Sequence, residues 1–176
     1  FTRPMSKNQI YPDKSIDINI IGTSNIALSC LKRNIKLIYI STDYVYPGTE
    51  GNYSERDPLS PFSEVNDGVS KYGWSKLGGE CAVKIVEGSL IIRACICGYP
   101  FPHIKALTDV KKNLIYIKDA APLIWKLINQ TGVINLGGDP QSVYEFAKKD
   151  NEEVLPIKSS EVIDVKIAPD TSMDIS

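Results

Sequence analysis

The sequence predicts an α/β protein built on a doubly wound parallel sheet. Residues 37–41 (LIYIS) and 89–98 (SLIIRACICG) are short, nearly continuous apolar runs rich in β-branched residues. That is the pattern of strands covered on both faces. Segments with helical spacing alternate with them, each bracketed by capping or breaking residues, which implies right-handed crossovers. The third observation is where polarity returns. Ser41-Thr42, Ala94-Cys95 and Lys118-Asp119 close apolar runs, so these exits lie along the carboxyl edge of the sheet, where such folds bind ligands.

Taken in order, residues 1–12 (FTRPMSKNQIYP) are polar and proline-punctuated, a loop by composition. Asp13 is positioned to cap a helix running to Arg33, with Ile16, Ile20, Ala27, Leu28 and Leu31 as its apolar stripe. Asn34 ends it, since Asn tolerates the left-handed conformation. Asn19, Gly22 and Thr23 are weak helix formers inside that span; close helix packing around Gly22 and a functional role explain them equally well. After the LIYIS strand, residues 43–69 carry repeated Pro and Gly, and a loop that long inside a compact domain is usually functional. Asp67 is the expected cap of the next helix, 69–87. Leu77, Cys81, Ala82 and Ile85 should face inward, and Glu80 with Lys84 should pair on the outside. Gly88 closes it.

The strand 89–98 follows, then the Pro-rich GYPFPH and a strand over 113–119. Asp119 caps a helix in which Pro122 is tolerated in the first turn. Gly132 leads into VINLGG, a strand ending in a glycine turn. Ser142 and Glu145 form a capping box for SVYEFAKKD. The remainder reads as irregular structure with a strand or two.

A chain of 176 residues fits one compact domain with a substantial core. Its net charge of −1 is spread over interspersed acids and bases, so no basic stripe points to nucleic acid. No apolar run is long enough to cross a bilayer, and no signal peptide opens the chain. The four cysteines, Cys30, Cys81, Cys95 and Cys97, have neither disulfide-framework nor zinc spacing. They read as buried thiols in a reducing cytosol, with no metal site. His103 beside Pro102 reads as a loop residue. The chain opens on Phe1, and the expectation is that the natural chain begins earlier.

The chemistry centres on residues 36–80. Tyr72 and Lys76 lie one turn apart on the second helix and share a face. An ordinary phenol is too weak an acid at neutral pH, and an adjacent ammonium lowers its pKa. Such a phenol can protonate a ketone oxygen as hydride arrives. A hydroxyl from Ser41 or Thr42 can hold and polarise the same oxygen, and the lysine can reach a nicotinamide ribose. The spacing alone is weak: with nine tyrosines, about one Tyr-x-x-x-Lys match is expected by chance. Tyr144 and Lys148 supply a second, which reads as a decoy because no strand-end hydroxyl precedes it in the right order.

The order is what discriminates. Strand–Ser41-Thr42-Asp43-Tyr44-Val45-Tyr46, then Tyr53-Ser54-Glu55, Pro61, Tyr72-Gly73-x-Ser75-Lys76-x-x-x-Glu80 and Ile91-Ile92-Arg93 together resemble the extended short-chain dehydrogenase/reductase family. Within it the sequence is most similar to the dTDP-4-dehydrorhamnose reductase-like NDP-sugar 4-ketoreductases. Asn19-x-x-Gly22-Thr23, Val143-Tyr144-Glu145-Phe146-Ala147 and Asp170-Thr171-Ser172-Met173-Asp174 extend the likeness over most of the chain. The resemblance implies a Rossmann-like sheet with a small C-terminal substrate-binding part. It assigns residues 1–98 to the C-terminal part of the NAD(P)-binding domain, and 99–176 to mixed substrate-binding and remaining sheet segments. It implies Thr42, Tyr72 and Lys76 as the catalytic set, Ser41, Tyr72, Lys76 and Ala94 as cofactor-binding, NADP or NAD as cofactor, and a nucleotide-sugar substrate. It further implies a homodimer through helices 13–33 and 69–87.

Two departures stand out. The family opens on a strand and a Gly-rich turn that holds the cofactor pyrophosphate, and the sequence contains no such turn, so the N-terminal nucleotide-binding half is expected to lie outside it. The stretch between Arg93 and Asp119 is also short for the family, as if segments had been lost. Reduction of a 4-keto group on a nucleotide-linked deoxysugar is the leading expectation. The alternatives are an NDP-sugar epimerase or dehydratase, and a bifunctional 3,5-epimerase/4-reductase using Cys95, Cys97 or His103 as extra acid/base groups. Another class entirely is a non-catalytic NADP-binding regulatory subunit, since the β-subunit of methionine adenosyltransferase resembles this subgroup too.

Overall fold

The computed structural model describes residues 11–61, 70–163 and 166–176. Helix α1 runs on through Pro12–Ser15, Ile16–Gly22 and Thr23–Arg33, the middle piece being π-helical. Then come β1 (Ile38–Ser41), a 3₁₀ turn (Asp43–Val45), α2 (Lys71–Val83) and β2 (Leu90–Cys97). The short strands β3 (Lys105–Leu107), β4 (Lys111–Lys112) and β5 (Leu114–Tyr116) precede α3 (Ile117–Leu127). The chain continues through β6 (Gly132–Leu136), β7 (Gln141–Ser142), α4 (Val143–Lys148) and β8 (Leu155–Ile157).

β2 is the axis of a four-stranded parallel sheet. β1 pairs along Leu90–Arg93; on the other side β6 pairs with Leu90–Ala94 and β5 with Cys95–Cys97. Alternation along β2 divides its side chains between two helical layers. Leu90, Ile92 and Ala94 join Leu136 against Ile124 and Leu127 of α3. Ile91 and Arg93 are buried on the opposite side, where Arg93 meets Glu80 of α2. Both faces are covered, as the apolar runs predict. A second cluster, Phe101, Ala106, Leu114, Tyr116, Phe146 and Val154, packs β3 and α4 beside the carboxyl end of the sheet. The parallel pair β3–β8 and the antiparallel pair β4–β7 complete the described strands.

Several local expectations change. Asp13 lies inside the first turn of α1, which starts at Pro12, a residue suited to that turn. Asp67 falls outside the described residues; α2 is capped by Ser70, whose Oγ accepts from Gly73 N at 2.9 Å. The inward face of α2 is Gly73, Ser75, Gly79, Glu80 and Val83, whereas Cys81 is exposed and Ile85 is 72% exposed. Glu80 is therefore fully buried and bonded to Arg93, not paired outside with Lys84. The cause is close packing: a Cβ on Gly79 would stand 2.7 Å from the Asn19 carbonyl and 2.4 Å from the Tyr39 hydroxyl. The helix docks through small residues and Val83, Leu77 packs against Val45 and Tyr46 as expected, and Cys81 and Ile85 point away. The close approach to α1 is thus made by Gly79, not by Gly22, whose Cβ would meet only Asp17 of its own helix. Ile16, Leu28 and Leu31 of the expected α1 stripe are each 49% exposed. Asn34 does adopt the left-handed conformation (φ 53°), and the Ser142–Glu145 capping box forms.

Candidate active site

The carboxyl end of β1 carries the centre of the site. Ser41 ends the strand, and Thr42 caps the following 3₁₀ turn by accepting from Tyr44 N at 3.3 Å. Helix α2 can approach that turn because Gly73 lacks a side chain. A Cβ there would lie 2.4 Å from the Tyr44 carbonyl and 3.1 Å from Ser70 Oγ. The neighbouring Tyr72 is thereby set against the turn, its ring edge-on to Tyr44 at 6.3 Å, and the Thr42 hydroxyl is among the groups acting on its phenol. Asn19, in the π-helical piece of α1, donates to Ser75 Oγ at 2.9 Å, and Ser75 donates to the Tyr72 carbonyl at 2.8 Å. That ties the wide turn of α1 to the residues between Tyr72 and Lys76, and single π turns recur at functional sites.

Lys76 lies one turn beyond. Its ammonium donates to the Ile40 carbonyl at 2.7 Å and stands 4.0 Å from the centre of the Tyr39 ring. Burial pulls its pKa down to about 8, against a smaller upward pull from Glu80. The electrostatic tuning expected of Lys76 is not what this geometry shows. Tyr72 is pushed up, chiefly by burial, then by Asp43, Tyr39 and Cys95, with only the Thr42 hydroxyl lowering it. The phenol is held protonated.

Behind Thr42 lies a charged cluster that sequence reading gave no role. Asp43 accepts from Thr42 Oγ1 at 2.9 Å and from Lys112 Nζ at 2.6 Å. Thr171 also donates to Asp43 Oδ2, and Lys112 donates to Thr171 at 2.8 Å. The ammonium stands 3.9 Å from the centre of the Tyr44 ring, and burial, followed by the Asp43 charge, pushes the Cys95 thiol up. All three polar partners are 5% exposed or less. Thr171 arrives on a C-terminal segment that runs along β4 and the loop after the 3₁₀ turn. Lys111 N donates to Pro169 O, Thr171 N to Lys111 O, Tyr53 N to Ser172 O and Asp174 N to Tyr53 O, all within 3.2 Å. Asp43 and Thr171 both stood in motifs that carry the resemblance, Thr171 without a role, and Lys112 stood in none; only the folded chain brings the three within reach.

Of the residues expected to bind cofactor, Tyr72 and Lys76 line the helix side. Ser41 is buried, with no hydrogen-bond partner for its hydroxyl among the described residues, and Ala94 is buried on β2. An unsatisfied buried hydroxyl beside a strand end is a group waiting for a partner, so these residues fit the nicotinamide-ribose end of a dinucleotide. His103 is exposed and edge-on to Phe101. Lys148 of the decoy pair is exposed and donates to the Glu152 carbonyl. Among the described residues no His/Cys/Asp/Glu group has metal-site geometry, and no helix is long and apolar enough to cross a membrane.

Comparison with known proteins agrees with this architecture. The chain is 38% identical over 82 residues to the "Probable low-salt glycan biosynthesis reductase Agl14" of Haloferax volcanii, a match covering 46% of this chain and 25% of the relative. It is 26% identical over 173 residues to a dTDP-4-dehydrorhamnose reductase of Mycobacterium tuberculosis, covering 82% and 56%. The chain therefore spans about a quarter of the first relative's length and little more than half of the second's. The crystal structure of dTDP-4-dehydrorhamnose reductase from Bacillus anthracis in complex with NADP superposes with a TM-score of 0.80 at 24% identity, over 99% of this chain and 68% of that one. The RmlD substrate binding domain matches residues 6–97, more than half of the 176 residues, and the chain belongs to that family.

Proposed function

We propose that the chain is the catalytic and substrate-side part of an NAD(P)H-dependent reductase acting on the 4-keto group of a nucleotide-linked deoxysugar, dTDP-4-dehydrorhamnose or a near analogue. One observation carries the reading: a half-buried phenol on α2, pushed up by its surroundings and so kept protonated, is set against the turn that begins with the hydroxyl leaving β1. A phenol so placed delivers a proton to a ketone oxygen as that oxygen gains charge. The cofactor, when bound, supplies the hydride to the carbonyl carbon. Ser41, Tyr72, Lys76 and Ala94 hold its ribose end, Tyr72 gives its O–H proton to the substrate oxygen, and Lys76 restrains the Tyr72 turn of α2 through the Ile40 carbonyl. Residues 1–98 supply the catalytic strand and helix, and 99–176 supply the remaining sheet and the substrate side. The names and cofactors of the relatives support the same chemistry.

The exposed Ile16, Ile18 and Leu28 of α1 with Trp74 and Ile85 of α2 support a homodimer through helices 13–33 and 69–87, and a reaction that draws on NAD(P)H supports a cytoplasmic location. Full-length protein should oxidise NADPH on addition of dTDP-4-dehydrorhamnose, and Tyr72→Phe should lower that turnover by about 10²–10⁴-fold without changing the far-UV circular dichroism. Sugar conversion without net NADPH consumption would instead mark an epimerase or dehydratase. NADP binding without any conversion would mark a regulatory subunit.

A further inference from the structure

We propose that Tyr39 is the positioning residue of Lys76, its ring carrying the ammonium at the carboxyl end of β1, where the cofactor ribose would lie. One side chain makes two contacts to one lysine. Lys76 Nζ stands 4.0 Å from the centre of the Tyr39 ring, close enough for the ring face to attract its charge. At the far end of the ring, the Tyr39 hydroxyl donates to the Lys76 backbone carbonyl at 3.4 Å. Tyr39 thus spans Lys76 from main chain to head group. A lysine swings freely on its four-carbon stem, and the half-buried ring gives that stem a rigid wall. Gly79, one turn beyond Lys76, makes the room: a Cβ there would stand 2.4 Å from the Tyr39 hydroxyl and 3.0 Å from its Cζ, so a side chain would push the ring out.

An ammonium has three protons to give. One goes to the Ile40 carbonyl at 2.7 Å, and the ring face flanks the head group. Ser41, the next residue along, carries the buried hydroxyl that lacks a partner among the described residues. Tyr39, Ile40 and Ser41 therefore set a fixed charge beside an unpaired hydroxyl at one strand end. The titratable groups around the ammonium are Tyr39 from β1, Glu80 and Tyr72 from α2, and Tyr44 from the 3₁₀ turn on which Tyr72 packs. α1 faces this part of α2 with Asn19 and Ile20, which carry no charge. Burial draws Lys76 down, and the ring face opposes that pull. Burial also pushes the Tyr39 phenol up to about 12, so its O–H persists while the lysine titrates. This deepens the reductase reading and rests on it only for its catalytic meaning.

The test reads the lysine directly and needs neither cofactor nor turnover. In full-length protein labelled with [13Cε]lysine, Lys76→Met identifies the Lys76 resonance. Tyr39→Leu keeps apolar bulk but removes the ring face, and should lower the Lys76 midpoint by about half a pH unit. Pentafluorophenylalanine at position 39 keeps the ring shape without its negative face, and should reproduce that shift should leucine disturb the fold. Tyr39→Phe restores the face and should recover the wild-type midpoint. NADP affinity by calorimetry should fall about three- to tenfold in Tyr39→Leu. On a Lys76→Met background the same change should cost nothing further, since the ring acts through the ammonium. A midpoint that stays or rises when the ring face is removed overturns the proposal, as does an equal affinity loss with and without the lysine. A midpoint that follows the ring face in a protein that never oxidises NADPH would keep Tyr39 as the positioning residue and remove the reductase reading.

Discussion

Two buried ion pairs lie on either side of the carboxyl end of β1, and they do different work. Glu80–Arg93 joins α2 to the central strand by two parallel bonds, Nε to Oε1 at 3.1 Å and Nη2 to Oε2 at 2.8 Å. Its remaining contact runs through Arg93 Nη1 to the Tyr46 hydroxyl, and from there to Asn135 of β6. Every group it touches belongs to the framework. Asp43–Lys112 has a single short contact, and its carboxylate spends its other bonds on Thr42 and Thr171. One pair ends in the scaffold and the other ends at the hydroxyl leaving β1, beside the turn on which Tyr72 packs. Burying charge is costly in both places; the planar fork of arginine suits a fixed joint, whereas the compact ammonium suits a single point contact.

The largest effect should come from breaking the scaffold pair. Arg93→Leu strands a fully buried carboxylate and should cost about 3–5 kcal/mol in urea unfolding. Glu80→Leu/Arg93→Leu should recover most of that loss, since an apolar pair of similar volume replaces the ions. A double variant as unstable as the single one would show that shape, not charge, is what the pair provides.

A smaller and more selective effect should come from the site pair. Thr171→Val removes one neutral partner of Asp43 and Lys112 and should cost about 1 kcal/mol. If the contrast between the pairs holds, kcat for NADPH oxidation falls while the KM for sugar stays put. A stability loss with unchanged kcat would make the two pairs equivalent.

A pH-dependent effect concerns Lys76, which belongs to neither pair. Its pKa is about 8 in the folded protein against an ordinary 10.5. Between those values the unfolded chain holds a proton that the folded one has released, so stability rises with pH across the window. Denaturation of wild type and Lys76→Met should therefore diverge in favour of wild type between pH 8 and 10.5. Parallel curves would mean that the lysine is solvated in the fold.

The central strands were readable because burial on both faces leaves an unmistakable apolar run: 37–41 and 89–98 became β1 and β2. The caps at Asn34 and Ser142–Glu145 were readable because they depend on neighbours in sequence. The inner face of α2 was not. Gly73, Ser75, Gly79 and Glu80 point inward because another helix and the 3₁₀ turn press against them, and periodicity assigns such a face to the surface. Glu80, read as half of an exposed pair with Lys84, shows how a charge buried for the sake of a distant arginine looks like any solvated one. At the site, the hydroxyl of Thr42 and the phenol of Tyr72 stood out by their order along the chain, while Lys112 stood in no motif and Thr171 in one that gave it no role.

The sequence by itself determined the sheet, its winding, the edge on which chemistry collects and the hydroxyl–phenol–lysine order, since each follows from local composition and spacing. Only the tertiary structure decided which polar groups meet behind the strand end. Asp43 acquires its meaning from Lys112 and Thr171, 69 and 128 residues away in the chain, and groups that far apart meet only once the chain has folded.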